Sequence, residues 1–247
     1  MAAQRDIYFC PHAIRKKMRL MIFMLSSVDA SRRILLLHGS GSSAGAFLNR
    51  GAANLLGAAS NAYHDGGPHA WQFDGLDWDE GVDLETNWGA WWTDDDLSTY
   101  GAESLAGGNK AIAAVEEALH TGGFNGIVGF SQGAAVAAVV AARSALRIDG
   151  AYTDLQFAVM CGGAMPTPYS NLLTELPSAS TVLPTLHCLS KCDTVMPTEQ
   201  GEALASCFGP NADVRWHDAG HALPPKDVCK EVIAWADAVC PEGSKYR

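Results

Sequence analysis

Short apolar runs that alternate with helical patterns predict an α/β fold, a mostly parallel central sheet covered by helices on both faces. Three observations carry that expectation. Ile34–Leu37, Gly126–Phe130, Leu155–Cys161 and Thr185–Ser190 are largely apolar without in-out alternation, as strands buried on both sides are. Helical patterns separate or follow them, so neighbouring strands are joined by crossovers and run parallel. The chemically capable residues, Ser40, Ser131, Asp193 and His221, all fall just beyond strand C-termini, where open α/β sheets place their sites.

Taken in order, Ile34–Leu37 is the first strand and 46–58 a helix. A long acidic segment follows. Leu105, Ile112, Val115 and Leu119 recur at helical spacing over 102–120, and Gly122-Gly123 stops that helix. Strand Gly126–Phe130 leads into an alanine-rich helix over 132–146. Strand 155–161, strand 185–190, helix 198–208, strand 214–217 and helix 225–239 complete the pattern. The 247 residues suit one domain over 32–240, with an N-terminal extension at 1–31 and a tail at 241–247.

The junction at Gly129-Phe130-Ser131-Gln132-Gly133 is the most informative segment. A G-x-S-x-G between a strand and a helix is the nucleophile elbow of the α/β-hydrolase fold. It puts serine on a sharp turn whose flanking positions must lack side chains. The same turn leaves the Gln132 N–H at a helix N-terminus, where a developing oxyanion is favoured. Ser131 as a mere helix N-cap is the competing reading, and it does not explain glycine on both flanks.

Such a serine needs a base and an acid, expected in the chain order serine, acid, histidine on loops after later strands. Lys191 to Pro197 follows strand 185–190 and offers Asp193; Asp218 to Pro225 follows strand 214–217 and offers His221. Asp213 and Asp218 compete with Asp193, which alternatively caps the helix from Thr198. Among eight histidines, His187 and His217 fall within strands, and His12 and His120 on surface segments. A second oxyanion donor is expected from His38-Gly39-Ser40-Gly41-Ser42-Ser43, and the Ser40 N–H is assigned to it. His38 more often serves as a structural hydrogen-bonding residue in such a place.

Composition narrows the partners. A net charge of −10 disfavours nucleic acid and anionic membrane surfaces. Every Lys, Arg, Asp or Glu from Asp65 to Asp96 is acidic, and this stretch holds Trp71, Trp78, Trp88, Trp91 and Trp92. It reads as a loop over the site whose tryptophans wall an acyl chain; a solvated acidic face over core indoles is the alternative. His69, Trp91 and Trp92 are assigned to substrate binding. No metal or other cofactor is expected, because Asp94-Asp95-Asp96 lacks the spacing of a ligand set and the seven cysteines include no C-x-x-C pair. That odd count points to reduced thiols and a cytoplasmic location. Arg15 to Arg19 followed by Leu20 to Leu25 is too short to span a bilayer, so stable membrane insertion is not expected; a targeting role for 1–31 stays open.

With these residues in place, the chain resembles the FSH serine hydrolases, small α/β-hydrolases similar to fungal thioesterases. The matching segments are Ile34 to Gly39, Asp65 to His69, Trp88 to Trp92, Gly129 to Ala134, Asp193 to Pro197 and Gly220-His221. Relative to that family, the chain has one more glycine before Pro68, and Ala90 where glycine or arginine precedes the paired tryptophans. The resemblance implies Ser131, Asp193 and His221 as the triad. The expected function is hydrolysis of carboxylic esters or thioesters through an acyl-serine, with a small acyl substrate as partner. The alternative is a ligand-binding protein that keeps the fold with little turnover.

Overall fold

Among the described residues, five parallel strands form one sheet in which neighbours in sequence are neighbours in space. The computed structural model describes residues 33–40, 42, 47, 50–55, 102–176 and 183–241, and for 102–107 the backbone only. The strands are β1 (Ile34–Leu37), β2 (Gly126–Phe130), β3 (Phe157–Cys161), β4 (Thr185–Ser190) and β5 (Ala212–His217). The described helices are α1 (Ala102–Gly122), α2 (Gln132–Ala145), α3 (Ser170–Thr174), α4 (Thr198–Cys207) and α5 (Lys226–Val239). α2 packs against β2 and β3 and contacts α1 and α3, and α3 contacts α4, the arrangement that the right-handed crossovers usual between adjacent parallel strands produce. Beyond β5, α5 packs against the 3₁₀ turn Ala52–Leu55 and against β5.

Burial explains the sequence pattern. β1, β3 and β4 are buried at every position, whereas β5 at the sheet edge is mostly half-exposed. Each fully buried Leu or Ile in this interior contributes about 1.5–3 kcal/mol. The alanines of α2 allow close approach, and this helix is buried nearly all round. Arg143 on α2 donates to Glu116 on α1 at 2.8 Å, so the buried Glu116 carboxylate is paired. Across the sheet, Trp235 of α5 meets Phe157 of β3 edge-on with ring centroids 6.0 Å apart.

Register aligns the strand ends that matter. Leu37 lies beside Gly129, Phe130 beside Cys161, Cys161 beside Cys188, and Ser190 beside His217. Several expectations change, and β5 begins at Ala212 rather than Val214. The strand expected from Leu155 begins at Phe157, because the Gln156 N–H pairs with the Asn125 carbonyl outside the ladder at 2.8 Å. Helix α3 and the 3₁₀ turn Thr167–Tyr169 that precedes it add elements after β3. Of the helix expected over 46–58, Phe47 is helical, Arg50 and Gly51 form a turn with Gly51 at φ 107°, and Ala52–Leu55 is a 3₁₀ turn; the remaining positions lie outside the described residues, as do the N-terminal extension and the tail from 242. No helix among the described residues is long and apolar enough to cross a membrane.

Candidate active site

Ser131 sits between β2 and α2 with φ 54° and ψ −120°, left-handed backbone that non-glycine residues seldom adopt. Holding it there costs on the order of 1–3 kcal/mol. Two bonds impose it: the Ser131 N–H donates to the Cys161 carbonyl at 2.9 Å, and the Ser131 carbonyl accepts the Ala134 N–H at 2.9 Å. The flanking glycines are required by space. A Cβ on Gly133 would stand 2.5 Å from the Leu37 carbonyl oxygen, and one on Gly129 would stand 2.7 Å from Ala134 Cα. Both collisions are with backbone, so the turn has no side chain to move aside. Ser131 makes no side-chain cap bond to α2, which disposes of the N-cap reading.

The Ser131 hydroxyl meets His221. Their Oγ and Nε2 are 2.9 Å apart, and His221 Nδ1 lies 2.8 Å from Asp193 Oδ2. An ionised carboxylate only accepts, so the imidazole proton is on Nδ1 and Nε2 accepts from the serine hydroxyl. The Asp193 side chain is 4 % exposed and that of His221 16 %. Burial alone would raise the Asp193 pKa, but the N–H groups of Met196 and Val195 and the His221 ring outweigh it and hold the carboxyl below its ordinary value. Those two N–H groups reach Asp193 Oδ1 at 2.8 and 2.9 Å.

The competing assignments lose their place. Asp193 spends one oxygen on its own loop and the other on His221, and the residue before α4 is Pro197, so Asp193 does not cap that helix. Asp213 accepts the Trp235 indole N–H at 2.7 Å, away from the imidazole. His217 uses Nδ1 to accept the Ala219 N–H at 3.2 Å; burial lowers its pKa against the opposing pull of Asp193 and Asp218. His187 is enclosed in β4, and His120 is exposed on α1.

Around this centre, the Phe130 ring lies 5.1 Å from the His221 ring, and Phe47 stacks on Phe130 at 6.2 Å. Gly39 brings the backbone after β1 close to the serine, since a Cβ there would stand 3.0 Å from Ser131 Cβ. Ser40 follows in an exposed turn, and Gln132 opens α2 directly after Ser131. His38 is buried and donates from Nδ1 to the Gly39 carbonyl at 2.8 Å, a structural role. His69, Trp91 and Trp92 lie outside the described residues.

One contributor escapes sequence reasoning. Ser190 is buried at the end of β4, and its hydroxyl oxygen accepts N–H groups from both the acid loop and the histidine loop. A serine ending a strand carries no signal that would single it out.

This geometry fits what the chain resembles among known proteins. A family model described as serine hydrolase (FSH1) matches residues 27–233. Esterase OVCA2 of Mus musculus is 33 % identical over 141 residues, covering 55 % of this chain and 60 % of that protein. Esterase CG5412 of Drosophila melanogaster is 29 % identical over 140 residues, covering 55 % of this chain and 48 % of that protein. These alignments span roughly half to three-fifths of the relatives' own length. The crystal structure of Zea mays acyl-protein thioesterase 2 superposes with a TM-score of 0.57 at 20 % identity, covering 86 % of this chain and 95 % of that one. The Bacillus cereus carboxylesterase gives a TM-score of 0.55 at 18 % identity, covering 89 % and 98 %. At these identities the structural likeness speaks for an α/β-hydrolase fold alone. With its family match running from before β1 into α5, the chain belongs to the FSH1 serine hydrolase family.

Proposed function

We propose that this protein is an esterase that cleaves carboxylic esters or thioesters through an acyl-serine formed on Ser131, with His221 as base and Asp193 as the acid that orients it. The observation that carries this reading is the unbroken hydrogen-bonded run from Ser131 Oγ through both ring nitrogens of His221 to Asp193 Oδ2. Supporting it, the relatives from mouse and fly are named esterases, and the superposed proteins are named a thioesterase and a carboxylesterase.

In the first half-reaction, Ser131 Oγ bonds to the acyl carbon as its proton passes to His221 Nε2, and the carbonyl electron pair moves onto oxygen. Asp193 stabilises the imidazolium. The Gln132 N–H at the positive end of α2 and the Ser40 N–H are assigned to the oxyanion. Collapse of the tetrahedral species breaks the bond to the alcohol or thiol, which leaves with the proton from Nε2. Water then loses a proton to Nε2, attacks the acyl carbon, and frees the acid and Ser131. No step calls for a metal or a cofactor. His69, Trp91 and Trp92 are assigned to the acyl-chain wall, and the acidic stretch from Asp65 to Asp96 disfavours strongly anionic substrates.

A fluorophosphonate probe tests this directly. Labelling of wild type at Ser131, located by mass spectrometry, with none in Ser131→Ala, is the expected result. A folded wild-type protein that does not label would overturn the reading and favour a ligand-binding role for the same fold.

A further inference from the structure

We propose that Ser190 is a positioning residue for the Asp193–His221 pair, its hydroxyl oxygen pinning the acid loop to the histidine loop. This inference rests on the serine-esterase reading above. The Ser190 oxygen accepts the Cys192 N–H at 3.2 Å and the Gly220 N–H at 3.1 Å. Cys192 immediately precedes Asp193, and Gly220 immediately precedes His221. The Ser190 backbone carbonyl also takes the N–H of Asp193 itself at 3.2 Å and the Thr198 hydroxyl at 3.3 Å. One residue at the end of β4 thus anchors the acid, the residue before it and the residue before the base.

The pin matters because the direct link between the loops changes strength during turnover. The contact between Asp193 and His221 tightens as the imidazole gains a proton and relaxes as it loses one. A neutral hydroxyl that accepts two backbone N–H groups does not vary with that proton. Gly220 contributes the backbone freedom the arrangement requires: its φ is +71°, and it turns the chain so that its own N–H faces Ser190 while His221 faces Ser131. Without the hydroxyl, both N–H groups lose this acceptor. The two loops then move independently, and His221 Nε2 spends less time within reach of Ser131 Oγ.

The test compares purified wild type with Ser190→Ala, Ser190→Thr and the control Thr185→Val, whose buried hydroxyl on the same strand makes no hydrogen bond among the described residues. Hydrolysis of p-nitrophenyl butyrate gives kcat and KM, fluorophosphonate labelling gives the reactivity of Ser131, and amide hydrogen exchange reads Cys192 and Gly220. Ser190→Ala is expected to slow kcat and labelling together on the order of ten- to a hundred-fold, the loss typical of a misplaced catalytic group. Its KM should stay within about twofold, because ground-state binding is untouched. Exchange at Cys192 and Gly220 should quicken, Ser190→Thr should restore most of the rate, and Thr185→Val should match wild type.

Undiminished kcat and labelling in a folded Ser190→Ala protein would overturn the pin while leaving the serine-esterase reading intact. The same holds for a rate loss that Ser190→Thr does not rescue, or that Thr185→Val reproduces. Absence of labelling in wild type overturns both. Should the alanine variant fail to fold, Ser190→Cys keeps the shape with a weaker acceptor and carries the same expectation in reduced measure.

Discussion

His187 and His221 are the same side chain in two opposite settings. His187 lies midway along β4, 1 % exposed, with the Phe208 ring 5.6 Å away and no hydrogen bond to its Nε2 among the described residues. Burial pushes its pKa down to about 3, so it stays neutral and inert. His221 lies on the loop beyond β5, partly exposed, with one ring nitrogen on a carboxylate and the other on a hydroxyl. Enclosure alone therefore silences a histidine. Engagement of both nitrogens at the rim of the sheet makes one fit to move a proton.

That contrast can be broken by mutation, beginning at the rim. Ser131→Ala and His221→Ala should each lower kcat for a p-nitrophenyl ester by up to about 10⁶-fold, as in other serine hydrolases, with far-UV circular dichroism unchanged. Asp193→Asn, which offers the imidazole the wrong partner, should cost about 10⁴-fold by the same assay. Gly133→Ala should destabilise by about 3 kcal/mol or more in urea unfolding, because the added methyl meets the β1 backbone and cannot be repacked.

The interior histidine sharpens the comparison from the other side. His187→Leu should leave kcat within about twofold of wild type, since no reacting group touches it. Its effect belongs to stability. The unfolded chain protonates this residue near its ordinary value of 6.5, and the folded chain only near about 3, so the unfolded state binds the extra proton in between. Folding stability is therefore full above that upper value and falls by about 1.4 kcal/mol per pH unit as pH drops through the window. Asp193, held below its ordinary value, adds a loss of the same sign in acid. Urea titrations at a series of pH values should show a shallower acid slope for His187→Leu than for wild type.

The rim was more readable than the interior details. That Ser131, Asp193 and His221 would converge was legible because a strained elbow demands glycines at fixed spacing and because parallel strands deliver their loops to one edge. The part of Ser190 was not, since its bond to Gly220 joins residues 30 apart and depends on the register of β4 against β5. Helix α3 spans five residues, too few for a period to show, and the prolines at 166 and 168 read as loop. At the start of β3, apolar Leu155 extended the hydrophobic run past the point where ladder pairing begins. The tryptophan-rich segment lies outside the described residues, so its assigned role rests on composition.

The order of strands along the chain also sets a timetable. The Ser131 turn leans on β1 and on the Cys161 carbonyl, and so can close once the first three strands have met. His221, its proposed base, lies 90 residues downstream, beyond β5. Cys161 precedes His221 by 60 residues, so at a synthesis rate of about 5–20 residues per second a growing chain would hold the closed turn without its histidine for roughly 3–12 seconds. On the proposed mechanism, Ser131 gains its base only when β5 docks, and the onset of probe labelling during refolding would time that event.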